Sequence, residues 1–202
     1  RFSFTSLNQK DGKMPRNATI VVDLGFGDAG KGTTVDYLAR KGGVSGVVRF
    51  NGGAQAAHNV VTPDGRHHTF RQFGSGTFVP GVETFLSRFV LVDPPELFVE
   101  ACSLFERGVR DPLTRVAVDR DAIVVAPYSK NANRVREARR AGCSHGTCAM
   151  GIGETMAMSI QYPEMPLRVS DLLDRKTLMR KLAQIEEYVL TEFGRDPLYE
   201  RF

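Results

Sequence analysis

The sequence predicts an α/β fold, a mostly parallel sheet flanked by helices. Short apolar runs rich in β-branched residues alternate with longer amphipathic stretches. The first of these runs ends in a glycine-rich turn that opens directly into a helical pattern. With 202 residues, 42% of them hydrophobic and 25% charged, the chain can bury a substantial core of ordinary composition.

Residues 1–16 are polar and aperiodic and are expected to form a disordered N-terminal extension. Ala18–Leu24 reads as the first strand and Lys31–Arg40 as the helix that follows. Gly46–Phe50 is the second expected strand. From Asn59 to Phe78 the chain alternates apolar and polar residues around Pro63-Asp64-Gly65, a hairpin signal. Further strands are expected at Phe89–Val92 and Ala122–Val125, and helices at Pro95–Arg107 and Asn131–Arg140. Gly142–Gly153 is a long glycine-rich connection, a class of segment that often binds a ligand or moves. Ser170-Asp171 can cap a helical portion spanning about 171–194, regular over Lys176–Thr191, with Gly194-Arg195-Asp196-Pro197 as its stop.

Charge and cysteine usage narrow the function classes. A net charge of +4 suits an anionic ligand and is too mild to require nucleic acid. The basic residues Lys130, Arg134, Arg136, Arg139 and Arg140 are interrupted by Glu137 and carry no interleaved aromatics, so they read as a solvated helix face. No apolar run has the length of a membrane span. Cys102, Cys143 and Cys148 lack metal-ligand spacing and are expected as reduced thiols, which points to a cytoplasmic setting.

The richest stretch is Gly25-Phe26-Gly27-Asp28-Ala29-Gly30-Lys31-Gly32-Thr33. A strand, a glycine loop and a helix N-terminus in that order make an anion cradle, because backbone N–H groups and the helix dipole point at the same place. Lys31 adds a point charge. The spacing Gly25-x-x-x-x-Gly30-Lys31 matches the first part of a phosphate loop, so the expected fold is P-loop-NTPase-like. The match then fails: Gly32 stands where Ser or Thr would hold a magnesium ion, and Thr33 comes one residue late. Asp28, inside the loop, is a candidate replacement for that metal ligand. The plain alternative is a tight strand-to-helix turn with Asp28 as a helix cap.

About twenty residues on, Val47-Val48-Arg49-Phe50-Asn51 leads into Gly52-Gly53-Ala54-Gln55-Ala56-Ala57-His58-Asn59. With the first loop, this resembles the adenylosuccinate synthetase family, whose N-terminal half carries W-G-D-E-G-K-G-K and then V-V-R-F/Y-x-G-G-x-N-A-G-H-T. Further echoes are collinear: Phe73-Gly74-Ser75-Gly76 for P-S-G, Val90 to Pro94 for V-V-x-x-P, and Ala132 to Arg139 for the D-x-A-R-E helix. Gly146 to Gly153 stands for G-T-T-G-R-G-I-G and Leu167 to Leu172 for L-R-V-G-D-L.

The resemblance implies that residues 17–202 are the N-terminal part of a larger domain. The activity it implies is a GTP-dependent ligase forming a C–N bond, from inosine monophosphate and L-aspartate to adenylosuccinate in AMP biosynthesis. By the same resemblance Asp28 takes the N1 proton of the acceptor, and His58 is general acid and hydrogen-bond donor to the transferring phosphoryl group. GTP would lie on Gly27, Asp28, Ala29, Gly30, Lys31, Gly32, Thr33, Ala57, His58 and Asn59. The acceptor nucleotide would meet Asp28, Lys31, Gln55, Ala56, Ala57, His58, Thr147 and Cys148. Asp28 and the Ala57 carbonyl would hold Mg2+, and the full-length protein would be a homodimer. His67 and His68, on the hairpin, are expected as surface residues.

The chain departs from the family pattern at several of these positions. Ala29 replaces Glu, Thr33 replaces Lys, Gln55 replaces Asn, Ala57 replaces Gly, Asn59 replaces Thr, and Cys148 and Met150 replace Thr and Arg. Alternatives are therefore a divergent paralogue with another purine acceptor or amine donor, or a nucleotide-binding remnant without catalysis. Retention of both Asp28 and His58 argues against the remnant.

Overall fold

The computed structural model describes residues 17–25, 27, 29–140 and 147–193. The expected N-terminal extension, Asp28, Cys143, the start of the glycine-rich connection and the stop after Phe193 lie outside these residues. In chain order come α1 (Lys31–Lys41), β1 (Gly46–Arg49), β2 (Gly52–Gly53), β3 (His58–Val61), β4 (His67–Phe70), β5 (Glu83–Leu86) and β6 (Val90–Val92). There follow α2 (Pro94–Glu106), β7 (Val116–Val118), β8 (Ile123–Val124), α3 (Pro127–Arg139), α4 (Ile152–Gln161) and α5 (Arg175–Phe193).

Three passes of the chain build the framework. Each pass contributes a strand to two consecutive parallel sheets, ordered β1-β5-β7 and β2-β6-β8. Between the tiers the backbone kinks, and Ser87 bridges the kink: its N–H donates to the Arg49 carbonyl at 3.0 Å and its hydroxyl to the Phe50 carbonyl at 2.5 Å. The parallel sheets flanked by helices are what the alternating pattern predicts, although the first crossover, from β2 to β5, runs through the β3–β4 hairpin and the second, from β6 to β7, through α2. The expected hairpin is also present, as the antiparallel pair β3–β4 turning at Pro63-Asp64-Gly65.

Side-chain burial places the core. Val60, Phe70, Phe73 and Phe78 from the hairpin and its following loop pack on Leu97, Ala101 and Leu104 of α2. Asp93 ends β6 and caps α2 by accepting the Glu96 N–H at 3.3 Å, with Pro94 at the first helical position, where its missing N–H costs nothing. Val124, Met158, Leu167 and Ile185 join β8 to α4 and α5. Ala132 and Val135 of α3 face Val189 and Phe193 of α5.

Four expectations need correction. Ala18–Leu24 is not a strand: it runs irregularly, with Ile20, Val22 and Leu24 exposed. Its alternation is a strand signal, but β propensity is realised only against a paired neighbour, and among the described residues no ladder partner takes this segment. The C-terminal helix is not capped by Ser170-Asp171. Those residues form a short 3-10 turn, and Asp174 receives the Lys176 and Thr177 N–H groups at 3.1 and 3.4 Å. The basic helix is paired as well as solvated: Lys130 reaches Asp93 at 2.5 Å, and Arg136 reaches Glu154 at 2.9 Å and Glu192 at 2.5 Å. His68 is buried, edge-on to Phe70 with ring centroids 4.7 Å apart, while His67 is exposed as expected. Beyond these, β5, β7 and α4 are elements that patterning alone did not announce.

Candidate functional site

The glycine loop enters α1 without a side-chain cap. Gly30 occupies the cap position at φ 78° and Gly27 sits at φ 93°, both left-handed conformations that favour glycine. No acidic residue lies in the first turn of α1, so nothing in the helix itself neutralises the positive end of its dipole. Among the described residues, the anion that meets the loop is Asp23. Its carboxylate accepts from Lys31 Nζ at 2.5 Å and from the Gly25 N–H at 2.9 Å. The Lys31 hydrogen bond, then the Gly25 and Ala29 N–H groups, hold the Asp23 pKa below the usual carboxylate range.

The second loop arrives at the same place because α1 packs directly on β3. A Cβ added at Gly32 would come within 2.9 Å of the His58 Cβ and 3.1 Å of the Asn59 carbonyl oxygen. Only a residue without a side chain permits that approach. Thr33 Oγ1 donates to the Asn59 carbonyl at 3.3 Å. Lys31, Gly32 and Thr33 are thus brought together with His58 and Asn59.

His58 is half-buried. Burial first, then the positive charges of Arg49 and Lys31, push its imidazole pKa below the ordinary value, with the Glu100 carboxylate opposing. Near neutral pH the ring is therefore uncharged and offers one N–H donor and one acceptor nitrogen. Asn59 presents its side-chain oxygen to Thr69 Oγ1 at 2.5 Å, with His67 Nε2 3.3 Å away. Ala57 is exposed and free of left-handed strain, since Ala149 is the non-glycine residue with positive φ among those described. Alanine is therefore tolerated where the family has glycine.

The remaining predicted site residues divide. Ala56 donates its N–H to the Gly53 carbonyl at 3.1 Å, and exposed Gln55 turns its Oε1 toward Gly53. Gly53 in turn lies against Ile152 at the start of α4, where an added Cβ would stand 2.6 Å from Ile152 Cδ1. Through this contact the third motif reaches the second loop. Thr147 and Cys148 are exposed, and the Thr147 hydroxyl donates to Glu137 of α3 at 3.0 Å, so it is engaged with that helix.

Sequence reasoning assigned no role to two buried residues that support the site. Arg49, at the end of β1, donates to the Arg71 carbonyl at 2.7 Å. Glu100 of α2 accepts the Arg71 and Gln72 N–H groups at 2.8 and 2.7 Å, and His68 Nε2 lies 3.5 Å from it. The segment 71–73 is therefore gripped by its carbonyls on one side and its N–H groups on the other. Gln72 adds a reciprocal pair with the backbone of Asp93, at 2.9 and 2.8 Å. A lone arginine within an apolar strand and a lone glutamate on the inner face of a helix were the available signals.

Among the described residues no group of three or more His, Cys, Asp or Glu side chains could hold a metal ion. Magnesium delivered with a nucleoside triphosphate does not need such a cage, because it keeps several waters and takes one or two carboxylates plus phosphate oxygens.

A family model described as adenylosuccinate synthetase matches residues 20–195. The adenylosuccinate synthetase of Syntrophus aciditrophicus is 36% identical over 186 residues, covering 90% of this chain and 42% of that protein. That of Mycobacterium avium is 34% identical over 165 residues, covering 82% and 37%. The chain thus spans about two fifths of the length of these curated relatives. Among solved structures, the fully ligated adenylosuccinate synthetase from Plasmodium falciparum superposes with a TM-score of 0.72 at 19% identity, over 87% of this chain and 40% of that one. A cyanophage S-2L succinoaminodeoxyadenylate synthetase, bound to dGMP and dATP, gives 0.56 at 21% identity over 73% and 39%. At such identities the two structures speak to the fold.

Proposed function

Because the chain belongs to the adenylosuccinate synthetase family, we propose that residues 17–202 supply the phosphate-handling N-terminal part of a GTP-dependent ligase. That ligase joins the amine of L-aspartate to C6 of inosine monophosphate. The observation that carries the proposal is the packing of the α1 N-terminus on His58 and Asn59, which sets a phosphate loop beside an imidazole. Phosphoryl transfer asks the protein mainly for positioning and charge, and this pairing offers both.

In this reading Gly27–Thr33 cradle the GTP phosphates and Lys31 neutralises their charge. Asp28 accepts the N1 proton of the acceptor, so that the 6-oxygen attacks the γ-phosphate and GDP leaves. The amine of aspartate then attacks C6 and loses a proton, and the C6–O bond breaks to release inorganic phosphate. The lowered pKa of His58 favours a neutral ring that donates an N–H to the transferring phosphoryl oxygen. Asp28 and the Ala57 carbonyl would hold Mg2+, which when bound offsets the negative charge of the triphosphate. Gln55, Ala56, Thr147 and Cys148 form the acceptor side. A homodimer of the complete protein and a cytoplasmic location belong to the same proposal. Free, exposed Cys102 and Cys148 agree with a reducing setting, and no helix of the described residues is long and apolar enough to cross a membrane.

Titration calorimetry with GTP and magnesium tests the loop. Lys31→Ala removes a charge-assisted contact and should weaken binding by at least about tenfold. In the complete synthetase, Asp28→Asn and His58→Asn should each lower turnover ~10²-fold, read as phosphate release with aspartate and inosine monophosphate. Unchanged GTP binding by the Lys31 variant would refute the phosphate-loop assignment. Wild-type turnover in either of the others would remove that residue from the mechanism.

A further inference from the structure

Asp23 stands just ahead of the phosphate loop, and no step proposed above uses it. Its carboxylate gathers Lys31 Nζ at 2.5 Å, the Gly25 N–H at 2.9 Å and the Ala29 N–H. These donors belong to the loop's start, its middle and the first residue of α1. They are the kind of groups that a bound phosphate collects, a lysine ammonium and successive backbone amides.

Resting on the phosphate-loop reading, we propose that Asp23 is an internal anion of the loop, which an incoming phosphate must displace. A carboxylate left among the same donors would confront the phosphate as a like charge at contact distance, so both cannot share the site. The segment that carries Asp23 has no regular structure: among the described residues Ala18–Leu24 forms no ladder and Ile20, Val22 and Leu24 are exposed, so the side chain can swing out without breaking a strand. Displacement sets a cost that every ligand of the loop must meet. A single-phosphate ligand offers the loop little more charge than the carboxylate it replaces and is held weakly. A pyrophosphate or triphosphate brings additional oxygens to Lys31 and the amides and meets the same cost with binding to spare.

Calorimetric titration with inorganic pyrophosphate and with orthophosphate, without magnesium and at low ionic strength, tests this. Asp23→Asn keeps the side-chain shape and removes the charge. Its affinity for pyrophosphate should rise about tenfold, and that for orthophosphate by a similar factor, because both displace the same carboxylate. Equal or weaker pyrophosphate binding by the variant, with wild-type binding still lost in Lys31→Ala, would overturn the proposal and leave the phosphate loop standing. Failure of both wild type and variant to bind pyrophosphate would overturn the loop reading and the proposal with it. Carboxyl ¹³C spectra of the wild type need no variant: the Asp23 signal should move at saturating pyrophosphate, and an unmoved signal would refute displacement.

Discussion

Gly32→Ala is the sharpest probe of how closely α1 and β3 meet. The added Cβ would stand 2.9 Å from the His58 Cβ and 3.1 Å from both the Asn59 carbonyl oxygen and the His58 carbonyl carbon. Two of these atoms are backbone and the third is a side-chain stem, so none can rotate away. The helix and strand must part by several tenths of an ångström to restore ordinary contact. Overpacking of this sort costs about 1–3 kcal/mol. Alanine's helix propensity returns up to ~1 kcal/mol, and less in a first turn. A net loss of about 1–2 kcal/mol follows, worth roughly 3–6 °C in Tm for a domain of this size. Thermal unfolding should show that fall, and GTP titration should show weaker binding as Lys31 draws away from His58. Gly153→Ala is the matching control: it lies in α4 with nothing within 4 Å of its added Cβ, and it should be neutral or stabilising by up to ~1 kcal/mol. If Gly32→Ala unfolds at or above the wild-type temperature and still binds GTP, the close approach is not what joins the two loops.

Glu100→Ala should destabilise the chain by about 3–5 kcal/mol, because it strands the buried N–H groups of Arg71 and Gln72 and leaves the Arg49 cation without its buried counter-charge. Urea unfolding checks this, and a loss under about 1 kcal/mol would refute the role. His58 adds a pH dependence. Its folded pKa is lowered, so the unfolded chain takes up a proton near pH ~6.5 before the folded one does. Stability should be unaffected by His58 above that pH and fall as pH drops through the folded pKa; His58→Asn should flatten that part of the profile.

The sequence reading located the framework because local chemistry and final structure agree there. Pro63-Asp64-Gly65 turns the hairpin, Asp93-Pro94 starts α2, and the glycine loop opens α1. Agreement fails where a signal depends on distant partners. Ala18–Leu24 has strand chemistry and no ladder. β5, with Thr84 and Leu86 inward and Glu83 and Phe85 outward, is four residues long, too short to stand out from its flanks. His68 looks like a hairpin surface residue until α2 brings Glu100 over it and the chain after the hairpin folds Phe78 back against it. At the site, residue types and spacing pointed to the glycine loop and His58 as candidates, and the fold brings the start of α1 against His58. The support from Arg49 and Glu100 and the engagement of Lys31 by Asp23 depend on which atoms meet across the fold, and no spacing encodes that.

The interleaved order of the three chain passes also governs how the site comes to exist. Gly46 pairs with Glu83, and Thr84 with Val116, so each parallel ladder closes a long loop before any of its contacts reward the chain. The β3–β4 hairpin is the exception, closing over a few residues at Pro63-Asp64-Gly65. His58 therefore gains its strand neighbours early, during hairpin formation on the microsecond scale. Arg49 reaches its place only when β1 is captured by β5. The imidazole owes its lowered proton affinity first to burial and then to the Arg49 and Lys31 charges, so His58 titration reports on the packing of α1 and the parallel framework around the hairpin and not on the hairpin alone.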